Sequence, residues 1–393
     1  MSKNKRAMMK LKAVMVAAGA AVLGMGSALA ASAEGGAYAW RGFHFDEARH
    51  FFGKETVKDY LGLLGRLRFN VFHWHLTDDQ GWRLDVPGFP ELVKYGAVRS
   101  STPLPDDGND KSVGDGRKYG PFFYTPEEVK EIVAFASVRG IRVVPEIEIP
   151  GHMRAFLAAH PEFSCKGDLA PEAWTEWGVC EDVICAGNEE AVAYYERVLD
   201  AVMEMFPSEF VHIGGDECPK TRWKSCAKCQ ARMKALGLKD EDALQGWLVA
   251  RIVRHVAAKG RRAIGWDEIL EGGDLPRGTV IQCWRGAKYV AEAVKRGHEV
   301  IVSPTEYCYF TLAEGLRGDP YHYRAWTGGE LLPAAKMRLF DPLAGVPTKS
   351  RAKVLGGECC LWSEYVHDRR ELDYKVQNRL PSFAEALLRN RYE

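Results

Sequence analysis

The chain has 393 residues, of which 46% are hydrophobic, 27% charged and 11% aromatic, the composition of an ordinary folded protein with enough apolar material for a large core. Disordered and collagen-like classes are excluded on that basis. With 53 basic against 53 acidic residues, nothing in the charge points to nucleic acid or an anionic membrane as a partner.

The first twelve residues carry Lys3, Lys5, Arg6, Lys10 and Lys12 and no acid, and an Ala/Gly/Val/Met/Leu stretch follows from Ala13 to about Leu29. With small-residue cleavage options from Ala28 to Ala33, this predicts a secretory signal peptide over residues 1–30. The stretch is too short and too weakly apolar to favour a retained membrane anchor. No cysteine precedes Cys165, so the lipid-attachment residue of a bacterial lipoprotein is missing. The expectation is an exported protein, periplasmic where there is an outer membrane and secreted otherwise. Its mature form would begin near Ala31 with a net charge of −5 and have no membrane partner after cleavage. Monomer and homodimer both stay open.

After a short linker over 31–40, β-branched or aromatic runs alternate with segments of helical period, the signature of βα units around a parallel sheet. The predicted strands are Gly42 to Asp46, Asn70 to His75, Ile141 to Glu146, Phe210 to Gly214, Arg262 to Trp266, Val280 to Trp284, Glu299 to Ser303 and Val354 to Trp362. Between them, Thr125-Pro126-Glu127-Glu128 reads as a capping box opening a helix to about Arg139. Further helices span Glu190 to Met205 and Leu244 to Lys259, each stopped by Pro or Gly. Eight such units predict an α/β protein whose residues 41–393 form one (β/α)8 TIM barrel with long βα loops. The longest insertions, Pro87 to Tyr124 and Thr311 to Arg351, are expected on the active-site rim.

In such a barrel the chemistry sits past the C-terminal strand ends. Those ends offer Arg49; then His73, His75, Asp78 and Asp79; then Glu146, Glu148 and His152; then Asp216 and Glu217. Asp267 and Glu268, Trp284, Tyr307 and Tyr309, and finally Trp362 and Glu364 complete the ring. Any one alone reads as a surface charge or a core aromatic. Together they describe a sugar site, where indoles stack on apolar ring faces and charged groups hold hydroxyls. Two adjacent carboxylates on a strand end should point to opposite sides, which is unlike the facing pair of ordinary retaining or inverting glycosidases.

The segment His212 to Glu217 resembles the H-x-G-G-D-E motif of glycoside hydrolase family 20, the β-N-acetylhexosaminidases. In order along the chain, Phe45 to Phe51, Asn70 to Arg83 (NVFHWHLTDDQGWR), Pro145 to His152 (PEIEIPGH), Gly265 to Ile269, Cys283-Trp284, Ser303 to Phe310 and Gly356 to Tyr365 (GGECCLWSEY) are similar to the same family. The resemblance runs from about Gly42 to the C-terminus. It implies an exo-acting hydrolase of terminal β-linked GlcNAc or GalNAc whose nucleophile is the substrate's own 2-acetamido group, with no cofactor and no metal in the reaction. Glu217 is then the general acid/base, Asp216 orients the acetamide and Tyr309 donates to its oxygen. Arg49 and Glu364 hold distal hydroxyls, Trp266, Trp284 and Trp362 form the walls, and Asp78 with His152 supports the acid/base residue. The bland readings are an N-cap for Asp78 and a satisfied core histidine for His152. Glu217 should be kept protonated near neutrality by burial and nearby negative charge.

The chain departs from the family pattern at Thr311, where relatives often carry Asp or Asn, which puts hydroxyl selection in doubt. It also lacks an α/β domain before the barrel and has Gln377-Asn378-Arg379 in its last helix. The alternatives are a lacto-N-biosidase or sulfated-hexosamine specialist on the same fold, or a non-catalytic glycan-binding barrel. Intact Asp216, Glu217 and Tyr309 argue against the last.

Ten cysteines in an exported chain suggest disulfides, with one bridge plausible among Cys165, Cys180 and Cys185. The pair Cys226-x-x-Cys229, with Cys218 nearby, fits part of a zinc knuckle, but no second pair follows at ligand spacing. Disulfides or free thiols are therefore expected there rather than metal.

Overall fold

Along the first two strands aromatics alternate with ionisable residues: Phe43 and Phe45 with His44 and Asp46, then Phe72 and Trp74 with His73 and His75. Successive strand side chains face opposite ways, so one set of each strand must enter the barrel and the other must meet the helices. The computed structural model, which describes residues 38–103, 114–315 and 330–389, shows that the aromatics go outward. Phe43 stacks on Tyr60 of the helix Lys54–Arg66 at 6.0 Å, while His44 meets His73 edge-on at 4.8 Å inside. The predicted signal peptide, most of the linker and the middle of each long insertion fall outside the described residues.

The strands are β1 (Trp40–Asp46), β2 (Val71–His75), the two-residue β3 (Thr77–Asp78) and β4 (Gly81–Trp82), β5 (Arg142–Glu146), β6 (Phe210–His212), β7 (Arg262–Trp266), β8 (Val280–Cys283), β9 (Glu299–Val302) and β10 (Val354–Leu361). Eight of them close a parallel barrel in the order β1-β10-β9-β8-β7-β6-β5-β2, and β3 with β4 forms a small antiparallel ribbon. Closure falls between the first and last strands, where Trp40 pairs with Gly356 and Phe45 with Leu361. All eight predicted barrel strands are present; the β3–β4 ribbon, two residues on each side, was too short to read.

Helix starts follow their caps. Thr125 and Glu128 form the expected capping box at the head of Pro126–Ser137, and Asn188 caps Glu189–Met205. The helix expected from Leu244 begins at Glu241 instead, because the Asp240 side chain accepts from the Ala243 N–H and starts the helix in a polar turn without apolar period.

Branched aliphatics usually fill the interior of such barrels; here the layer is polar and centres on Glu146. Its carboxylate lies 2.7 Å from His212 Nδ1, 3.0 Å from His73 Nε2 and 2.5 Å from His75 Nδ1, and it accepts from the Trp266 indole N–H at 2.8 Å. Glu358 of β10 repeats the pattern, taking His73 at 2.7 Å, the Gln282 amide and the Trp40 indole N–H. Burial opposes charge on these imidazoles, but Glu146 with Glu358 pushes His73 up to about 9, and Glu146 with Asp78 pushes His75 up to about 10. Burial likewise works against ionised Glu146, and the surrounding histidines nevertheless hold it well below the usual carboxylate range.

The pH dependence follows from these directions. Histidines raised above their unfolded value of about 6.5 contribute stability that is complete below that pH and is lost as pH rises through their folded values. Urea denaturation of the wild type should therefore show stability falling from about pH 6.5 until about pH 10, where the last of these imidazoles has lost its proton. Glu146→Gln, which leaves two buried imidazoles short of a counter-charge, should cost about 3–5 kcal/mol at neutral pH and flatten that alkaline step.

Candidate active site

Strand β6 stops at His212, two residues before the predicted end, because Gly214 and Gly215 turn the chain with φ of 63° and 95°. Neither glycine can be replaced freely. A Cβ on Gly214 would stand 1.7 Å from Glu148 Oε2, and one on Gly215 2.3 Å from Ile269 Cγ2. Asp216 and Glu217 thus sit on an irregular turn rather than on a strand, and strand alternation does not set their directions. Burial also falls on the other residue than expected: Asp216 is 8% exposed, whereas the Glu217 side chain is 46% exposed. The loop after β5 covers Asp216, with Gly151 so close that a Cβ there would lie 3.2 Å from the Asp216 carbonyl oxygen.

His152, with φ of 52°, links this turn to the β3 ribbon. Its Nδ1 lies 3.3 Å from Oδ1 of Asp78 and from Oδ2 of Asp79, and its Nε2 lies 3.7 Å from Asp216 and 3.8 Å from Glu217. Burial opposes a charged imidazole, but Asp78 and its neighbours hold His152 well above its ordinary range. Burial pushes the Asp216 carboxyl up to about 7, with His152 pulling the other way. One oxygen each of Asp216 and Glu217 and a nitrogen of His152 all lie within 4.8 Å of one another.

Asp78 is no helix cap. It accepts from His75 Nε2 at 3.0 Å and pairs with Arg49 at 2.8 Å, and although burial favours its neutral form, Arg49 and His152 hold it far below the normal carboxylate value. Arg49 is fixed by four groups: Asp78, Asp46 at 3.3 Å, the Gln80 amide oxygen at 2.9 Å and Glu364 at 3.9 Å. Its guanidinium lies over the Trp362 ring, 5.2 Å from the centroid. Trp362 in turn meets Trp266 at 5.8 Å and Tyr309 at 6.3 Å, and Tyr309 stacks on Trp284 at 6.2 Å with planes 18° apart. The Trp284 N–H donates to Glu268 at 3.0 Å.

Each of the ten residues predicted from sequence therefore touches or faces another of the set. Two acceptors in it stand out: Oδ1 of Asp216 and Oε2 of Glu364 are buried with no hydrogen-bonding partner among the described residues. Buried acceptors are nearly always paired, so these two are arranged for donors from outside the chain. The Thr311 hydroxyl is likewise buried and unpartnered.

Four contributors went unassigned by sequence. Asp79 accepts from the backbone N–H groups of Arg154 and Cys180 and so ties the β5 loop to the ribbon. Gln80 positions Arg49, and Glu268 positions Trp284. Glu148 is buried with both oxygens lacking a hydrogen-bonding partner among the described residues, and burial together with Asp216 pushes it well above the normal range. Their place at strand ends was visible, but roles that act through a neighbour leave no pattern in a sequence.

The cysteines also differ from expectation. All ten lie among the described residues and none forms a disulfide. Cys165 and Cys185 stand with Cys226 and Cys229 instead of with Cys180, and Cys218 belongs to no such group.

The family described as glycosyl hydrolase family 20, catalytic domain, matches residues 38–390. A beta-hexosaminidase of Porphyromonas gingivalis is 39% identical over 351 residues, covering 89% of this chain and 43% of the relative. One from Vibrio furnissii is 34% identical over 349 residues, covering 88% and 56%. The chain thus spans about half the length of these curated relatives. Among solved structures, a beta-N-acetylhexosaminidase from Bacteroides fragilis superposes with a TM-score of 0.75 at 32% identity, covering 89% of this chain and 66% of that one. An exo beta-N-acetylglucosaminidase from Vibrio harveyi, solved with N-acetylglucosamine, gives 0.75 at 30% identity, covering 89% and 54%. On the extent of these matches, the chain belongs to glycosyl hydrolase family 20 and carries that family's catalytic domain.

Proposed function

We propose that the chain is an exo-β-N-acetylhexosaminidase that removes terminal, non-reducing β-linked GlcNAc or GalNAc with retention of configuration. The observation that carries this reading is the buried, unpartnered Oδ1 of Asp216 within reach of the same imidazole as the exposed Glu217. An inverting enzyme needs its carboxyls about 6.5–9.5 Å apart to seat a water between them; oxygens within 4.8 Å leave no such space. An acceptor that faces inward beside an acid suits an acetamide N–H.

In the first step the acetamide oxygen bonds to the anomeric carbon while the C–O bond to the leaving group breaks and takes the Glu217 proton. Asp216 accepts from the acetamide N–H and offsets the positive charge that develops as the oxazolinium ring closes. In the second step Glu217 takes a proton from water as its oxygen attacks the anomeric carbon and the ring reopens. Charged His152 stands between the two carboxylates and Asp78, so it steadies Asp216 as an anion when Glu217 becomes one. Arg49 and Glu364 receive distal hydroxyls, and the sugar lies against the indoles of Trp266, Trp284 and Trp362, with Tyr309 turned to the acetamide oxygen. The bound sugar also supplies what the turn alone does not, the removal of Glu217 from water. Neither a metal nor a cofactor takes part in this scheme.

The reading is tested on 4-nitrophenyl β-N-acetylglucosaminide and β-N-acetylgalactosaminide, with the plain β-glucoside as control. Release should occur from the N-acetyl substrates only. Glu217→Gln should lower kcat by about 10²–10⁴-fold, more on chitobiose, whose leaving alcohol needs the proton, than on the nitrophenyl glycosides. Turnover of chitobiose undiminished in that variant, or of the β-glucoside by wild type, would remove the proposal. Silence on all three would favour a binding barrel or a specialist for longer or sulfated glycans.

Because the Asp216 carboxyl sits near pH 7 and works as an anion, kcat/KM should fall on the acid side below about that pH. Asp216→Asn should abolish that limb and lower the plateau by about 10²–10³-fold; a profile with an unchanged acid limb would show that another group sets it.

Export is proposed with the activity, on the cationic start and apolar stretch of residues 1–30. Mass spectrometry of protein recovered outside the cytoplasm should find an N-terminus near Ala31; an intact Met1 there would refute cleavage.

A further inference from the structure

The four-cysteine group lies away from the carboxylates, between two long loops. Cys165 and Cys185 belong to the loop after β5 and flank an antiparallel bridge between Ser164 and Ile184. Cys226 and Cys229 belong to the loop after β6, where Cys226 is the N-cap of the helix Ala227–Leu236 and Cys229 sits in its first turn. The Sγ atoms of all four lie within 4.8 Å of one another. The closest pairs are Cys185 to Cys226 at 3.6 Å, Cys185 to Cys229 at 3.7 Å and Cys165 to Cys229 at 3.8 Å. Cys185 and Cys229 are essentially inaccessible, at 1% and 0% exposure.

Two arrangements bring four sulfurs together, and their geometry differs. Disulfides join sulfurs in twos at about 2.05 Å and leave other pairs apart. Four thiolates around zinc, each about 2.3 Å from the ion, stand at the corners of a tetrahedron with edges of about 3.8 Å. The three shortest separations match the tetrahedral edge, and the other three pairs lie within 4.8 Å. Moreover Cys185 is equally near two partners, and Cys229 is shared by Cys185 and Cys165, which a pairwise bond cannot satisfy.

We infer that Cys165, Cys185, Cys226 and Cys229 form a structural tetrathiolate site for a zinc ion, closed to substrate and separate from the catalytic groups. The spacing of the second pair is the two-residue interval common in such sites, and the first pair comes from upstream, which is why a search after Cys229 does not reveal it. The backbone is built for the approach. A Cβ on Gly187 would fall 2.2 Å from the Lys228 carbonyl carbon and 2.4 Å from the Cys229 nitrogen, so the two loops meet only with glycine there. Binding releases the thiol protons and leaves four thiolates on one dication, with no change of oxidation state.

The site pins the loops that carry the catalytic turn. One carries His152 and the other follows Glu217, and each runs on to its pair of cysteines. Holding their far ends fixes the approach of His152 to Asp216 and Glu217 across the barrel mouth.

The test is metal analysis of the purified full chain by inductively coupled plasma mass spectrometry, beside alkylation and intact mass of the same sample. The expected result is one zinc per chain, with these four cysteines resistant to alkylation until a chelator strips the metal. Exchange into cobalt should give the thiolate-to-cobalt charge-transfer absorption of a tetrahedral sulfur site. Cys226→Ser with Cys229→Ser should lose the equivalent of zinc, and Gly187→Ala, which keeps every thiol, should release zinc faster to a chelator. If the double variant does not fold, the wild-type metal content, thiol protection and cobalt spectrum still decide. Disulfides among these four cysteines, four freely alkylated thiols without metal, or zinc retained by a folded double variant would each overturn the inference.

Discussion

Everything at the mouth of this barrel depends on neutralising the charge in its interior. Glu146 would be untenable alone in a water-free core, since desolvating a single carboxylate costs far more than any one hydrogen bond returns. Its three imidazoles and the Trp266 indole resolve this. One of them carries the arrangement outward: His75 holds Glu146 through one ring nitrogen and Asp78 through the other. Asp78 then fixes Arg49 and His152, and His152 faces the catalytic turn. The position of the Asp216–Glu217 turn is therefore referred, contact by contact, to the centre of the fold. Burial and Asp216 favour the neutral form of Glu148, which limits the negative charge beside Asp216.

How much of this the sequence exposed depended on the range of the signal. Strands β1 and β2 were legible because aromatic and ionisable residues alternate there, and eight βα units imply closure. The site residues were legible because strand ends gather them at one mouth whatever the loops do. Burial at Asp216 and Glu217 was not. It is decided by Gly151 and the rest of the β5 loop folding over the turn, and a strand-alternation rule does not reach a segment whose glycines have left the strand. The cysteine group shows the same limit. Its partners lie 41 and 64 residues apart along the chain, so only Cys226-x-x-Cys229 falls within a local window, and proximity in sequence wrongly nominated Cys180 and Cys218. Thr311 was singled out as a departure from the family pattern, and the structure shows its hydroxyl buried without a hydrogen-bonding partner among the described residues.

The two carboxylates of the turn also illustrate how adjacent residues acquire unlike chemistry. Asp216 is tuned by the protein, through burial and His152, before any sugar arrives. Glu217 is left open to solvent, so nothing in the chain alone shields it from water as Asp216 is shielded.

Among the described residues, three non-glycine positions adopt left-handed backbone, and two of them are His152 and Glu217, with φ of 52° and 42°. Such conformations each cost about 1–3 kcal/mol. Glycine at Glu217 would relieve the strain, whereas at His152 it would also strip the imidazole that faces Asp78, Asp79 and Asp216. The barrel therefore stands to become more stable by losing the exposed carboxylate of its turn but not the imidazole beside it.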